Sequence, residues 1–224
     1  MSRLGTLRSA ACRLRSTLGA ESLVVCADGY VLRASPARFD VALAESRAEH
    51  AEEELCDGRL GQARRLLTSA LELWDGEPLS GLCGSYAEVQ RARLSEWRLS
   101  LVERRLEIDL DLGRHDGVIA ELAALSSEHP YHEHVRDLQM LALHRSGRRA
   151  EALAVYSATR RFLREDIGIE PGSELTDLHR RILVSDCGLD VRNTRASVPV
   201  GSRWPARCAR PRSPFRGSAT SATV

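Results

Sequence analysis

The sequence predicts an all-α fold built from repeated helix pairs, and three observations carry that reading. First, the turns Asp57-Gly58-Arg59, Leu112-Gly113-Arg114 and Ser146-Gly147-Arg148 repeat one short pattern, each followed by an apolar helical run. Second, Gly113 and Gly147 are 34 residues apart, the period of a tetratricopeptide-type helix pair. Five residues after each glycine, where one helix packs on the other, stand Ala63, Val118 and Ala152, and four further on stand Leu67, Leu122 and Tyr156. Third, aromatics are only 4% of the chain while leucine and alanine dominate, a composition that favours helix over sheet.

The repeat is imperfect in instructive ways. A proline twelve residues after the small residue is present as Pro130 in the second unit, displaced to Pro171 in the third, and replaced by Asp75 in the first. Gly58 to Gly113 spans 55 residues, so about twenty residues are inserted between the first two units. Arrays of this kind do no chemistry of their own. They stack to build a surface that binds something else.

Each element can be justified in order. Residues Leu4 to Leu18 read as a short basic helix with Leu7, Ala11, Leu14 and Leu18 in one apolar stripe and Arg8, Arg13 and Arg15 off it. Gly19 ends it. Ser22 to Cys26 and Tyr30 to Ala34 flank Ala27-Asp28-Gly29 and read as a β-hairpin around an Asp-Gly turn. Helix and hairpin together are too small to bury a core. From Phe39 to about Leu183 everything reads as helix: Val41–Leu55, Leu60–Trp74, Tyr86–Leu112, about Asp116–Glu128, His132–Ser146 and Arg149–Asp166, and a last one from Pro171 or Gly172 to Val184. The long helix has two apolar faces. Leu94, Trp97, Leu101, Ile108 and Leu112 form one, and Leu99, Val102, Leu106 and Leu110 the other, which places it between two neighbours. Residues 187–224 lack periodicity and read as a disordered basic tail.

Charge is sharply divided along the chain. Residues 1–35 carry a net +3, residues 187–224 a net +6, and the body 36–186 a net −8. An acidic body does not wrap DNA, so any phosphate contact belongs to the ends. All 32 basic residues are arginine, which codon bias in a GC-rich genome explains without any chemistry. The six cysteines form no Cys-x-x-Cys pair, and neither a membrane-spanning run nor a signal peptide is present, so a reduced, cytoplasmic protein is expected.

No phosphate loop, nucleophile elbow or His-Glu-x-x-His helix occurs, and no enzyme activity, cofactor or metal is expected. The cluster His129-Pro-Tyr-His132-Glu-His134 reads as a turn and helix start, because residues two apart do not share a helical face as metal ligands would. Arg104-Arg105 and Arg160-Arg161 sit among acids at helical spacing and read as a salt-bridged surface.

An ordered set of motifs points further: Leu73-Trp-Asp-Gly-Glu-Pro-Leu79, Leu110-Asp-Leu-Gly-Arg-His115, Glu128-His-Pro130, Leu141 to Tyr156, Ile167-Gly-Ile-Glu-Pro-Gly-Ser-Glu-Leu175 and Leu178-His-Arg-Arg-Ile-Leu183. Over roughly 37–184 this resembles the bacterial transcriptional activation domain of the antibiotic-regulatory (SARP) activators, whose domain is a tetratricopeptide-like array. In that family a winged-helix domain of the response-regulator type comes before the array. Here Leu14-Arg-Ser-Thr-Leu-Gly19 resembles the close of its recognition helix and Asp28-Gly-Tyr-Val-Leu32 its return strand, so 1–35 resembles a partial winged helix. The family's earlier strands and first two helices do not precede Leu4, and Cys26 and Val31 stand where the family usually has arginine.

The resemblance implies a transcriptional activator, or a fragment of one. Arg8, Arg13 and Arg15 would be its DNA contacts, and Gly58, Gly113 and Gly147 its structural turns. The array would contact a protein such as RNA polymerase, another activator or a second copy, with no membrane involved. Two other readings stand beside it: a helical-repeat adaptor that binds a protein without touching DNA, and a truncated or mis-started product.

Overall fold

The computed structural model describes residues 3–26, 29–32 and 39–189. Among them are eight helices and one hairpin. Helix α1 (Arg3–Leu18) is followed by a 3-10 turn (Ala20–Ser22) and strands β1 (Leu23–Cys26) and β2 (Gly29–Leu32). Then come α2 (Asp40–Cys56), α3 (Leu60–Leu71), α4 (Ser85–Asp111), α5 (His115–Glu128), α6 (Glu133–Arg145), α7 (Arg149–Asp166) and α8 (Ser173–Leu183), with a final 3-10 turn at Cys187–Leu189. The all-α array with a short hairpin before it is the architecture the sequence predicts.

The strands pair antiparallel with Leu23 opposite Leu32 and Cys26 opposite Gly29. Helix α1 packs on β1, burying Ala11 and Leu23. Leu14 and Leu18 of the apolar stripe are about half exposed, because a hairpin of two four-residue strands is too small to cover them.

The three Gly-Arg turns are the same object in backbone terms. Gly58, Gly113 and Gly147 have φ of +73°, +77° and +76°, the left-handed region that only glycine enters without penalty. At each, the glycine N–H bonds the carbonyl three residues back and the arginine N–H the carbonyl five back, the pattern of a Schellman cap. Arg59, Arg114 and Arg148 then sit at φ −88°, −90° and −89° and open the next helix. Where such a cap usually adds an apolar contact, the first two use charge: Arg59 pairs with Glu54, and Arg114 Nη1 lies 3.7 Å from Asp109. Arg148 turns forward instead, to Glu151.

Packing follows the spacing. Ala63, Val118 and Ala152, and Leu67, Leu122 and Tyr156, are all buried. Ala44 and Ala51 on α2, like Ala63 and Ala70 on α3, are seven residues apart and fully buried, so the two helices approach closely. Three apolar clusters run along the array. Ala51, Ala63, Leu67, Leu101 and Ile108 form the first, with Trp74 and Trp97 packed against it, their rings tilted at 58° and their centroids 5.1 Å apart. Leu106, Leu110, Val118, Leu122, Val135 and Leu138 form the second. Met140, Leu143, Tyr156, Leu175 and Ile182 belong to the third. The two apolar faces of α4 are thus divided between the first and second clusters.

Two expected boundaries move. Helix α3 ends at Leu71, not Trp74: the N–H groups of Leu73 and Trp74 bond the Ala70 and Leu71 carbonyls in a tightened turn. Disorder expected from residue 187 does not hold for the first three residues. Leu189 is buried in the third cluster, and its carbonyl accepts a hydrogen bond from Arg145 Nε at 2.8 Å. Residues 190–224, the rest of the tail, lie outside the described residues.

Candidate functional site

Of the three arginines expected to meet DNA, the structure separates one from the other two. Arg8 and Arg13 are exposed on α1. Arg15 turns to the hairpin: its Nε donates to the Leu23 carbonyl at 3.0 Å, and its guanidinium lies 5.9 Å from the Tyr30 ring. It therefore braces α1 against β1 and β2. Val25, Val31 and Leu32 leave the hairpin apolar on its outside, with Cys26 also exposed.

Charged side chains stitch the array together at helix crossings. Asp109 of α4 is 1% exposed and is paired with Arg64 of α3. Arg105 Nη1 lies 3.6 Å from its other oxygen and also bonds Glu121 of α5. One buried carboxylate is thereby held among cations from three segments, the arrangement a buried charge requires. Arg104 donates to both oxygens of Glu52 on α2, at 3.1 and 3.2 Å, and to Glu107 at 2.9 Å. The Arg104-Arg105 pair is accordingly occupied within the fold.

The histidine cluster has a role that its sequence conceals. His132 is the residue before α6 and extended, so it and His134 can face the same neighbour despite being two apart. His134 Nε2 lies 3.0 Å from Glu107, and His132 Nδ1 lies 3.1 Å from Glu103, one turn back on α4. The His132–Glu103 approach makes no hydrogen bond and leaves both atoms buried without one. Burial raises the Glu103 carboxyl above the usual glutamate range, an effect that nearby His132 and His134 only partly offset. At Glu107 burial acts the same way, but hydrogen bonds from His134 and Arg104 outweigh it and hold the carboxyl below that range. Glu133 accepts the Gly172 N–H at 2.7 Å, fixing the start of α8 on the start of α6. Sequence reasoning placed Glu103 and Glu107 among the acids around Arg104-Arg105, where Arg104 does pair with Glu107, but did not set them opposite the histidines and did not find Glu133. The available signal was the i, i+4 spacing of two glutamates between the apolar faces of α4.

Two open grooves mark the surface. One, of about 620 Å³, lies where α7 meets α8 and is lined by Tyr156, Arg160, Arg161, Arg164 and His179. Tyr156 and His179 stack at 3.8 Å to form its floor, and Glu170 binds Arg160 at 2.6 Å and Arg164 at 3.3 Å. The other, of about 300 Å³, lies over the Arg64–Arg105–Glu121 network. Among the described residues no group of three or more histidines, cysteines or carboxylates is arranged to hold a metal. None of the described helices is long and apolar enough to cross a membrane.

Comparison with known proteins agrees with this architecture. Residues 39–183 match the family model of the bacterial transcriptional activator domain. The regulatory protein AfsR of Streptomyces griseus is 48% identical over 183 residues, which is 82% of this chain and 19% of AfsR. DnrI of Streptomyces peucetius is 40% identical over 169 residues, covering 75% of this chain and 62% of DnrI. Among solved structures, Mycobacterium tuberculosis EmbR in complex with a low-affinity phosphopeptide superposes with a TM-score of 0.78 at 30% identity, covering 81% of this chain and 50% of that one. The chain thus spans about a fifth of the AfsR relatives it matches. Repeated Gly-Arg turns, a long helix shared by two cores and a specific match across 39–183 lead to one assignment: the chain belongs to the bacterial transcriptional activator domain family of SARP-type transcriptional regulators.

Proposed function

We propose that this chain acts as a transcriptional activator in which the helical array recruits a protein partner and α1 touches DNA through Arg8 and Arg13. The observation that carries the DNA half is the division of labour on α1. Arg15 is spent inside the fold on Leu23 and Tyr30, which leaves Arg8 and Arg13 exposed on a helix whose orientation that brace fixes. The net −8 of residues 36–186 repels phosphate, so the array contributes protein contacts, with RNA polymerase, another activator or a second copy, and not DNA contacts. Its mechanism is recruitment by a pre-formed surface, which needs no active site.

A second reading rests on the hairpin. Cys26 and Val31 occupy exposed positions with no charge, so an adaptor that binds protein alone is the alternative. Binding of the chain to a mixed-sequence duplex pool at several salt concentrations separates the two. Arg8→Ala with Arg13→Ala is expected to lower the logarithmic salt slope by about 2, one for each phosphate contact removed. A slope unchanged by the pair moves the DNA contacts to the arginines of residues 187–224, and no binding at all leaves the adaptor reading in place.

A further inference from the structure

The groove between α7 and α8 is basic on a body that is otherwise acidic. Its α7 wall carries Arg160, Arg161 and Arg164 against Glu165, while residues 36–186 as a whole carry a net −8. Elsewhere Arg64, Arg104 and Arg105 are drawn into the array's own crossings. The salt-bridged surface expected at Arg160-Arg161 forms only in part. Arg160 and Arg164 pair with Glu170, but Arg161 makes no ion pair among the described residues, although Glu165 stands one turn further along α7. The field of these cations reaches the groove floor. Burial first, and the charge of Arg160 second, hold the His179 imidazole below the usual histidine range, so pairing with Glu170 has not cancelled that charge.

Glu170 shows the kind of group the groove accepts. It comes from the connection between α7 and α8. Arg160 Nε and Nη2 donate to its two carboxylate oxygens at 2.6 and 3.4 Å, and Arg164 Nε lies 3.3 Å from one of them. The side chains of Arg160, Arg164 and Glu170 nevertheless stay 49%, 60% and 56% exposed, so these are surface pairs that an incoming carboxylate can exchange at little cost. The α7 wall from Tyr156 to Glu165 is about 13 Å long, the length of about four residues of extended peptide. Arg160 and Arg164, four residues apart, are separated by about 6 Å along the helix, close to the spacing of alternate side chains on one face of a strand. We infer that the groove binds an acidic segment of a partner protein, with carboxylates at alternate positions on Arg160, Arg161 and Arg164, and that Glu170 holds the site as a resident competitor until that segment displaces it. This rests on the array's role in recruiting a protein, and it names the chemistry of the segment recruited.

The test is fluorescence anisotropy of the full chain with a labelled Glu-Ala repeat peptide of about ten residues at about 0.05 M salt, where exposed charges are weakly screened. Arg161→Gln is expected to weaken binding about threefold, and Arg65→Gln, the same charge change at an exposed position of α3, to leave it unchanged. Glu170→Gln carries the sharper expectation. It removes the competitor and should tighten binding about threefold, whereas an acid that merely braces the α7–α8 connection would lower stability and leave peptide binding alone. Circular dichroism at 222 nm checks that each variant is folded. No binding by either the wild type or Glu170→Gln overturns the groove and leaves the array's recruiting role to another surface. Equal effects of Arg161→Gln and Arg65→Gln, including none, overturn it in favour of diffuse attraction. Binding unchanged or weakened in Glu170→Gln overturns the displacement. A mixed-sequence DNA duplex that competes with the peptide, and loses that ability in Arg161→Gln, overturns the acidic-segment assignment and the protein-only role of the array together.

Discussion

Replacing Gly113 by alanine isolates what the backbone does at a repeat turn. A Cβ built on Gly113 meets no heavy atom within 4 Å, so no clash enters, and the whole effect comes from φ at +77°. Holding an alanine in the left-handed region is unfavourable by about 1–2 kcal/mol. The unfolded chain loses entropy with the same substitution, which offsets about 0.4–1 kcal/mol. The net expectation is a destabilisation of about 1 kcal/mol, or roughly 2–4 °C in Tm for a chain of this size. Gly117, four residues on, supplies the control: it lies inside α5, also with open space around an added Cβ and without a positive φ. Gly117→Ala should stabilise by about 0.5–1 kcal/mol, since alanine loses less backbone freedom in a helix. Thermal unfolding followed by circular dichroism at 222 nm reads both. Opposite signs support the argument; shifts of the same sign refute it, because they would mean that φ does not decide the cost of a side chain here.

Four further expectations follow from contacts already described. Leu122→Ala empties a fully buried site in the second cluster and should cost about 3 kcal/mol in urea unfolding. Asp109→Ala leaves Arg64 and Arg105 without their shared acid and should also cost about 3 kcal/mol, whereas the exposed Asp177→Ala should cost under about 0.5 kcal/mol. Glu133→Ala removes the acceptor of the Gly172 N–H. A loss of about 1 kcal/mol is expected, with hydrogen exchange accelerated at the start of α8 and unchanged in α3. Glu103 gives a pH test. Its folded pKa is raised by burial, so the folded state holds the proton more tightly than the unfolded one, and this group's contribution to stability falls as pH rises from about 4.5 through the raised value. Glu103→Gln should therefore gain on the wild type between pH 4.5 and 7. A gap that narrows with rising pH would contradict the assignment of burial as the dominant cause.

What was legible in advance was whatever depends on spacing within one helix pair. The Gly-Arg turns, the small residue five positions on and the two faces of α4 are all local patterns, and burial of Ala63, Val118 and Ala152 follows from them. Contacts between residues far apart in the chain were not legible. Nothing in the neighbourhood of His132 and His134 announces that Glu103 and Glu107, about thirty residues earlier, will face them, because that depends on how α6 lies across α4. The same holds for Glu133 and Gly172, and for Arg145 reaching Leu189, which is why order continues past the last periodic residue. Arg15 illustrates a third kind of difficulty. Its charge is plain in the sequence, but whether a charge faces outwards or braces a hairpin is decided by the strand packed beside it.

Helix α4 gives the array a mechanical character. Its 27 residues make a rod of about 40 Å, gripped along its C-terminal part by two cores. Ile119 and Leu141 in turn belong to the margins of both the second and third cores, so no seam divides the stack. A load applied to the start of such a rod is not absorbed locally. It is felt as torque at Leu101 and Leu106 alike, on opposite sides of the same lever, and passes to α8 through side chains that two cores share. The array should therefore yield as one piece, and grip at one end should stiffen the other.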